Sequence, residues 1–296
     1  GTQLPTSNFD YFSGGGFVNQ RNLYQIFADN GYTVATTKAN LLAVPAGMKT
    51  IGVNEKLQDS KSMPYEIDRI YSGSAYYNSM SLADHVDKAI KSLGHGSDSF
   101  FIMVEGGKID WAGHANDIGA NIHDVIALDD AVKVAKNFYD SHPADTLIIV
   151  TADHETGGMA VSSSASLATA VDRQKVSHMY FNTEYFYPYK ASRPINISGL
   201  SADINTLFGV NTSGTEHTAI NKAFNDSMGS VPGGLYGGYE PLTVTLTKII
   251  ANNANVNWTL YDHTSVNVPV YSIGKNAAAK FPTDFDNTDL YRKILE

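Results

Sequence analysis

Ser99-Phe100-Phe101-Ile102-Met103-Val104-Glu105-Gly106-Gly107-Lys108-Ile109-Asp110-Trp111-Ala112-Gly113-His114 is an apolar run that breaks into a carboxylate, two glycines, and then a second carboxylate and an imidazole four residues apart. An uninterrupted apolar segment of strand length reads as a strand covered on both faces of a parallel sheet. The same design recurs in Thr146-Leu147-Ile148-Ile149-Val150-Thr151-Ala152-Asp153-His154-Glu155-Thr156-Gly157-Gly158. Charged and imidazole groups at the rims of two buried strands are costly unless opposite charge joins them. Open α/β sheets take their ligands outside the carboxyl ends of the strands. If the two strands are neighbours, Glu105, Asp110, His114, Asp153 and His154 open into one crevice and read as a metal site. One helical turn puts Asp110 and His114 on the same face, and Gly106, Gly107 and Gly113 would let the backbone come close to the ions.

The flanking sequence supports an α/β class. Between the two apolar runs, a helical stretch from about Asp117 to Tyr139 carries Ile118, Ile122, Val125, Ile126, Val132 and Val134, as a crossover between two parallel strands would. Ser81 to Leu93 opens on a capping residue, lines up Leu82, Val86, Ile90 and Leu93, and stops at Gly94. Upstream, Phe9-Asp10-Tyr11-Phe12 reads as a strand feeding the turn Ser13-Gly14-Gly15-Gly16, and Asn22 to Ala28 as a short helix stopped at Asn30-Gly31. From Ser162 to Asn257 the chain turns rich in Ser, Thr, Asn, Gly and Tyr, with clusters such as Tyr236-Gly237-Gly238-Tyr239. Residues 162–257 therefore read as an insertion or accessory subdomain. Strand character returns at Val268 to Gly274, with a closing helix from about Asp286 to Leu295, so the core comprises 1–161 and 258–296.

The chain has 296 residues, 43% of them hydrophobic and 17% charged, enough for one large or two modest domains with a real core. A formal net charge of -9 argues against nucleic acid or an anionic membrane surface as partner. No apolar stretch approaches the roughly 18 residues of a membrane span. There is no cysteine, which removes disulfides, thiolate zinc sites and thiol nucleophiles and leaves nine histidines as nitrogen ligands. A third imidazole for the site is His263, flanked by Trp258 and the late strand, with His217 in Glu216-His217-Thr218 as competitor. Mixed imidazole and carboxylate donors suit zinc, and an oxygen donor such as Glu105 suits magnesium. Glu155 reads as a neighbour of the ligand pair or as solvated, His123 as a packing residue, and His85, His95, His142 and His178 as solvated.

These blocks resemble the alkaline phosphatase family. The resemblance covers Ser13 to Gly16, Glu105 to Asp117, Thr151 to Gly158, and Trp258 through Asp286-Asn287-Thr288-Asp289. It implies a three-layer sandwich with a largely parallel central sheet, helices on both faces and a crown-like insertion. The activity it implies is that of a phosphomonoester hydrolase with two zinc ions and one magnesium, working through a phosphoserine on small phosphomonoesters. By position, Asp110, His114 and His263 would ligate the first zinc, Asp153 and His154 the second, and Glu105 the magnesium, with Trp111 beside the substrate. A periplasmic or extracellular location is implied as well. In the family the nucleophilic serine, in Asp-Ser-Ala, precedes the Gly-rich turn. Here the Asp-Ser pairs are Asp59-Ser60, Asp98-Ser99 and Asp226-Ser227, none after a buried strand. The resemblance therefore implies a carboxy-terminal portion without its amino-terminal strands. Its first zinc set would be complete and its second zinc and magnesium sets short of ligands. Such a chain would have little activity alone, and its exposed strand edges would drive homo-oligomerisation. The alternatives are a phosphodiesterase or sulfatase relative, and a non-catalytic metal-binding or oligomerisation module.

Overall fold

The computed structural model describes residues 23–162, 166–229 and 234–295. The expected strand Phe9–Phe12 and the Ser13-Gly14-Gly15-Gly16 turn lie outside the described residues. The chain divides into two units. One runs to Glu105 and takes in Ala127–Val134; the other holds Gly106–Ile126 and continues from Ala135.

In the first unit the helix Leu23–Asp29 leads into β1 (Thr33–Ala35), which pairs in parallel with β2 (Thr50–Gly52). Between them the helix Lys38–Ala43 is capped by Thr37 and buries Leu41 with Ala35, Val44 and Met80. The helix Leu82–Leu93 forms where expected. The Ser81 hydroxyl accepts from the Asp84 amide, the Asp84 carboxylate accepts from the Ser81 amide, and Gly94 ends it.

The run after Ser99 departs from expectation. Residues 101–106 are irregular rather than a buried strand, and Phe101 and Met103 are 71% and 72% exposed. A strand exists through its ladder, and no described strand pairs with this run. Among the described residues, most of its apolar side chains therefore face solvent.

The second unit opens with the helix Gly107–His114, which ends at Ala115; after Asn116 the chain enters the long helix Ile118–Ser141, whose residues Ala127–Val134 count with the first unit. Ile118 is buried as expected, whereas Val125 and Ile126 are exposed. In place of a largely parallel central sheet, the described residues form four two-stranded sheets, and β1–β2 alone is parallel. β3 (Leu147–Val150) takes as its partner the late strand β8 (Tyr271–Gly274), antiparallel, with Leu147 opposite Gly274. β4 (Glu155–Thr156) pairs antiparallel with β7 (His263–Thr264), and β5 (Ala160–Val161) with β6 (Val256–Asn257). The Ile118–Ser141 helix thus does not connect two parallel strands of one sheet among the described residues. Residues 166–253, which composition marks as turn-rich, are largely helical, from Ser166–Arg173 to Pro241–Asn253. Their apolar positions repeat at helical spacing around Phe181, Phe208, Ile220, Phe224 and Leu242, all buried.

One buried polar cluster anchors the start of the long helix. Asp117 is fully buried as its N-cap; Oδ1 accepts from the Ala120 amide at 3.1 Å and from Gln174 Nε2 at 2.6 Å. Oδ2 accepts from the His178 amide at 2.7 Å and lies 3.0 Å from His178 Nδ1. His178, expected in solvent, is therefore a core residue. Burial pushes the Asp117 carboxyl up, but the His178 hydrogen bond and charge, with the remaining donors, outweigh burial and hold it below the usual carboxylate range. A depressed native pKa gives stability that is present above the unfolded value of about 3.9 and lost as pH falls through the native one. Asp117→Asn is expected to lower the unfolding free energy by about 3 kcal/mol at neutral pH. In urea titrations the deficit should shrink below pH 4; a deficit equal at pH 3 and pH 7 would show that charge is not its source.

Candidate metal centre

The Gly107–His114 helix sets Asp110 and His114 on one face, with Oδ1 and Nε2 3.4 Å apart. β7 supplies His263, whose Nε2 lies 3.0 Å from His114 Nε2 and 3.6 Å from Asp110 Oδ1. The three residues can each offer one ligand atom, all within 4.8 Å of one another. His114 Nδ1 lies 2.9 Å from the Tyr261 carbonyl. That oxygen can only accept, so Nδ1 carries the hydrogen and the Nε2 lone pair of the neutral ring faces His263. Asp110 Oδ1 accepts from the Thr156 hydroxyl at 2.5 Å.

The donor chemistry fits a divalent cation. Zinc ligands about 2.0–2.2 Å from the ion in tetrahedral array stand about 3.3–3.5 Å from one another. The three separations here, 3.0, 3.4 and 3.6 Å, bracket that edge length. All three side chains are part-exposed, so an ion could enter from solvent.

Asp153 and His154 lie beside this trio. The His154 ring stacks on that of His263 with centroids 3.5 Å apart and planes at 23°. Its Nδ1 lies 3.2 Å from the Thr156 hydroxyl, and its Nε2 lies 3.4 Å from Asp153 Oδ2. The Asp153 side chain is 87% exposed. Trp111, half-buried, carries the Lys108 ammonium 3.9 Å from its ring centroid. Glu105 is exposed and belongs to the other unit. His217 does not join the trio. It heads the helix His217–Met228, with Nδ1 2.7 Å from the Thr212 carbonyl. Thr156 went unnoticed in the sequence, although strand alternation from His154 places residue 156 on the same face.

Two glycines shape the approach. Gly113 lies against Thr156; a Cβ there would fall 3.1 Å from Thr156 Cβ. Gly157 has φ +87°, and a Cβ would fall 2.6 Å from the Trp258 ring and 2.8 Å from the Gly113 carbonyl. The Gly157 amide donates to the Asp262 carbonyl and its carbonyl accepts from the Thr259 amide, so this residue stitches the β4 turn to the segment before His263.

Fold and site together define an α/β protein with a three-donor candidate cation site. The sequence model of the family described as Alkaline phosphatase matches residues 3–296, and the chain belongs to that family, whose activity is phosphomonoester hydrolysis. Alkaline phosphatase 3 of Bacillus subtilis (strain 168) is 28% identical over 300 residues, covering 97% of this chain and 57% of that protein. The alkaline phosphatase of Escherichia coli (strain K12) is 39% identical over 82 residues, 28% of this chain. Among solved structures, the cold-active alkaline phosphatase of the psychrophile Shewanella sp. superposes with a TM-score of 0.70 at 26% identity, over 95% of this chain and 63% of that one. The Thermus thermophilus alkaline phosphatase gives 0.69 at 28% identity, over 88% and 55%. These likenesses give the chain an α/β, alkaline-phosphatase-like fold, and it spans 57% of the Bacillus subtilis relative's length.

Gly157→Ala is expected to destabilise the chain by about 2–3 kcal/mol, since the new methyl meets a positive φ, a ring and a carbonyl together. A urea midpoint shift followed by Trp fluorescence would measure it.

Proposed function

We propose that this chain carries the metal-holding portion of a phosphomonoester hydrolase. Asp110, His114 and His263 would hold one zinc, Asp153 and His154 would contribute to a second, and Glu105 would serve a magnesium. The observation that supports this reading most directly is the mutual spacing of the trio, 3.0, 3.4 and 3.6 Å. Bound divalent ions would supply Lewis acidity and neutralise the phosphoryl charge. The chain's own residues do the rest. The Tyr261 carbonyl holds His114 in the tautomer that presents Nε2, and the Thr156 hydroxyl fixes the Asp110 carboxylate. Trp111, with Lys108 over its ring, would border the phosphate.

The substrate class is small phosphomonoesters, which a chain of net charge -9 admits only where cations reverse the local field. No Asp-Ser-Ala occurs in the 296 residues. Ser60 stands in a short turn of helix at φ 50°, and Ser227 is buried with its hydroxyl accepting from the Leu242 amide. Neither has the setting of a nucleophile activated by a neighbouring base. The polypeptide by itself is therefore proposed to hydrolyse little or nothing. Residues 162–257 are proposed as the accessory, crown-like part. Exposed Phe101 and Met103 support homo-oligomerisation, and the family resemblance supports a periplasmic or extracellular location. No helix among the described residues is long and apolar enough to cross a membrane.

Zinc titration of the purified chain, followed by elemental analysis, is expected to show bound zinc that falls at least tenfold in affinity in His263→Ala and is unchanged in His217→Ala. Equal retention by both variants would remove His263 from the site. With an aryl phosphate, turnover by the chain alone is expected to stay at background; robust turnover would overturn the proposed lack of a nucleophile.

A further inference from the structure

Glu155 stands between the residues of the centre and belongs to none of its contacts. It follows His154 directly, and its partner across the β4–β7 ladder is Thr264, the residue after His263. Successive side chains in a strand point to opposite faces. On one face Thr156 lies opposite His263 and donates to Asp110. On the other, the Glu155 carboxylate accepts from the Thr264 hydroxyl and from the Gly158 amide, at 3.0 Å to one oxygen and 3.1 Å to the other. One face of the ladder therefore carries the candidate ligands and the other carries a fastening.

The ladder needs one. Each strand is two residues long, and so short a pairing has little stability of its own. Its far end is a turn through Gly157 and Gly158 at φ +87° and +61°. The Gly158 amide reaches the carboxylate from that turn, so one side chain closes the β4 turn and ties it to β7. His263 is the donor most dependent on this arrangement. Unlike Asp110 and His114, which share a helix, it comes from β7, whose preceding residues are tied in by the His114–Tyr261 and Gly157–Asp262 contacts while β7 itself is paired to β4 alone among the described strands.

We infer that Glu155 is a positioning residue whose carboxylate latches β4 to β7 and thereby holds the His263 imidazole against Asp110 and His114. This rests on the zinc reading proposed above. The role is distinct from ligation, because both carboxylate oxygens face hydrogen-bond donors on the opposite side of the ladder.

The test is zinc affinity of the full 296-residue chain, measured by competition with a chromophoric chelator and paired with the visible spectrum of the cobalt-substituted protein. Glu155→Ala is expected to weaken zinc 10- to 100-fold. Thr264→Val, which keeps the shape and deletes the hydroxyl, should weaken it in the same direction, and Glu155→Gln, which retains an acceptor, should stay within about threefold of wild type. Because Glu155 acts through His263, Glu155→Ala on a His263→Ala background should cost no further affinity, and Glu155→Ala alone should shift the cobalt spectrum toward that of His263→Ala. A general loss of structure would instead add to the His263→Ala loss, and that additivity would overturn the latch. So would Glu155→Ala and Thr264→Val binding zinc as wild type does while His263→Ala does not. If His263→Ala itself binds normally, the zinc reading fails, separately and first. Should Glu155→Ala not fold, Thr264→Val carries the same comparison.

Discussion

Two imidazole nitrogens and a carboxylate oxygen held 3.0–3.6 Å apart are the constraint around which the second unit is organised. With His114 Nδ1 committed as a donor to the Tyr261 carbonyl, the Nε2 of the neutral ring accepts; His263 Nε2 can donate to it in one tautomer, whereas Asp110 Oδ1 only accepts. That one hydrogen cannot serve both His114 and Asp110, so the trio holds more acceptors than donors until a further proton or a cation joins it. A single proton satisfies one pair of the three, whereas a divalent ion satisfies all of them and matches the tetrahedral edge. The surrounding fold has to hold this acceptor-rich group at its spacing, and the local structure is the means.

Support comes from both sides of the trio. On the helical side, the Asp117 amide donates to the Ala112 carbonyl and the Asn121 side chain donates to the Ile109 carbonyl, so the ligand-bearing helix Gly107–His114 is bonded to the first turn of the long helix. That first turn is pinned in turn by the fully buried Asp117 carboxylate and its four donor contacts. Removing a donor from such a cluster leaves a buried charge uncompensated, which is why its members are fixed in place. On the strand side, the Gly157 turn fits beneath Trp258, and the two-residue ladder keeps His263 opposite Thr156. The rigid half holds two donors and the lighter half holds one.

Much of this was legible in the residues. The spacing of Asp110 and His114 follows from one helical turn, the capping residue Ser81 announces its helix, and His263 is favoured over His217 by its flanking Trp258 and strand. What the sequence misread shares one cause: composition reports burial only when the partners are known. Phe100 to Val104 has the residues of an interior strand, but strand identity lies in a ladder and no described strand supplies one. The antiparallel union of β3 with β8 joins residues more than a hundred positions apart, which periodicity cannot foresee. His178 sits among polar neighbours in sequence yet is buried against Asp117, because a carboxylate 61 residues away satisfies it. Thr156 escaped for the same reason, since its role lies in a hydrogen bond across 46 residues.

The overall charge gives the centre its logic. A protein of net charge -9 that places Asp110 and Asp153 near a set of ring nitrogens is a poor host for a phosphate dianion. Electrostatic repulsion between like charges a few ångströms apart is several kcal/mol at the intermediate dielectric of a part-exposed site, on the order of 4 kcal/mol per pair of unit charges at 4 Å. The same acidic groups attract a divalent ion by the same arithmetic. Anion recognition by these residues would therefore require prior cation binding. A preformed trio has a consequence for this order: because Asp110, His114 and His263 already stand at ligand spacing, little reorganisation would remain on binding an ion. More of the intrinsic attraction then appears as affinity than in a site whose donors must first be assembled.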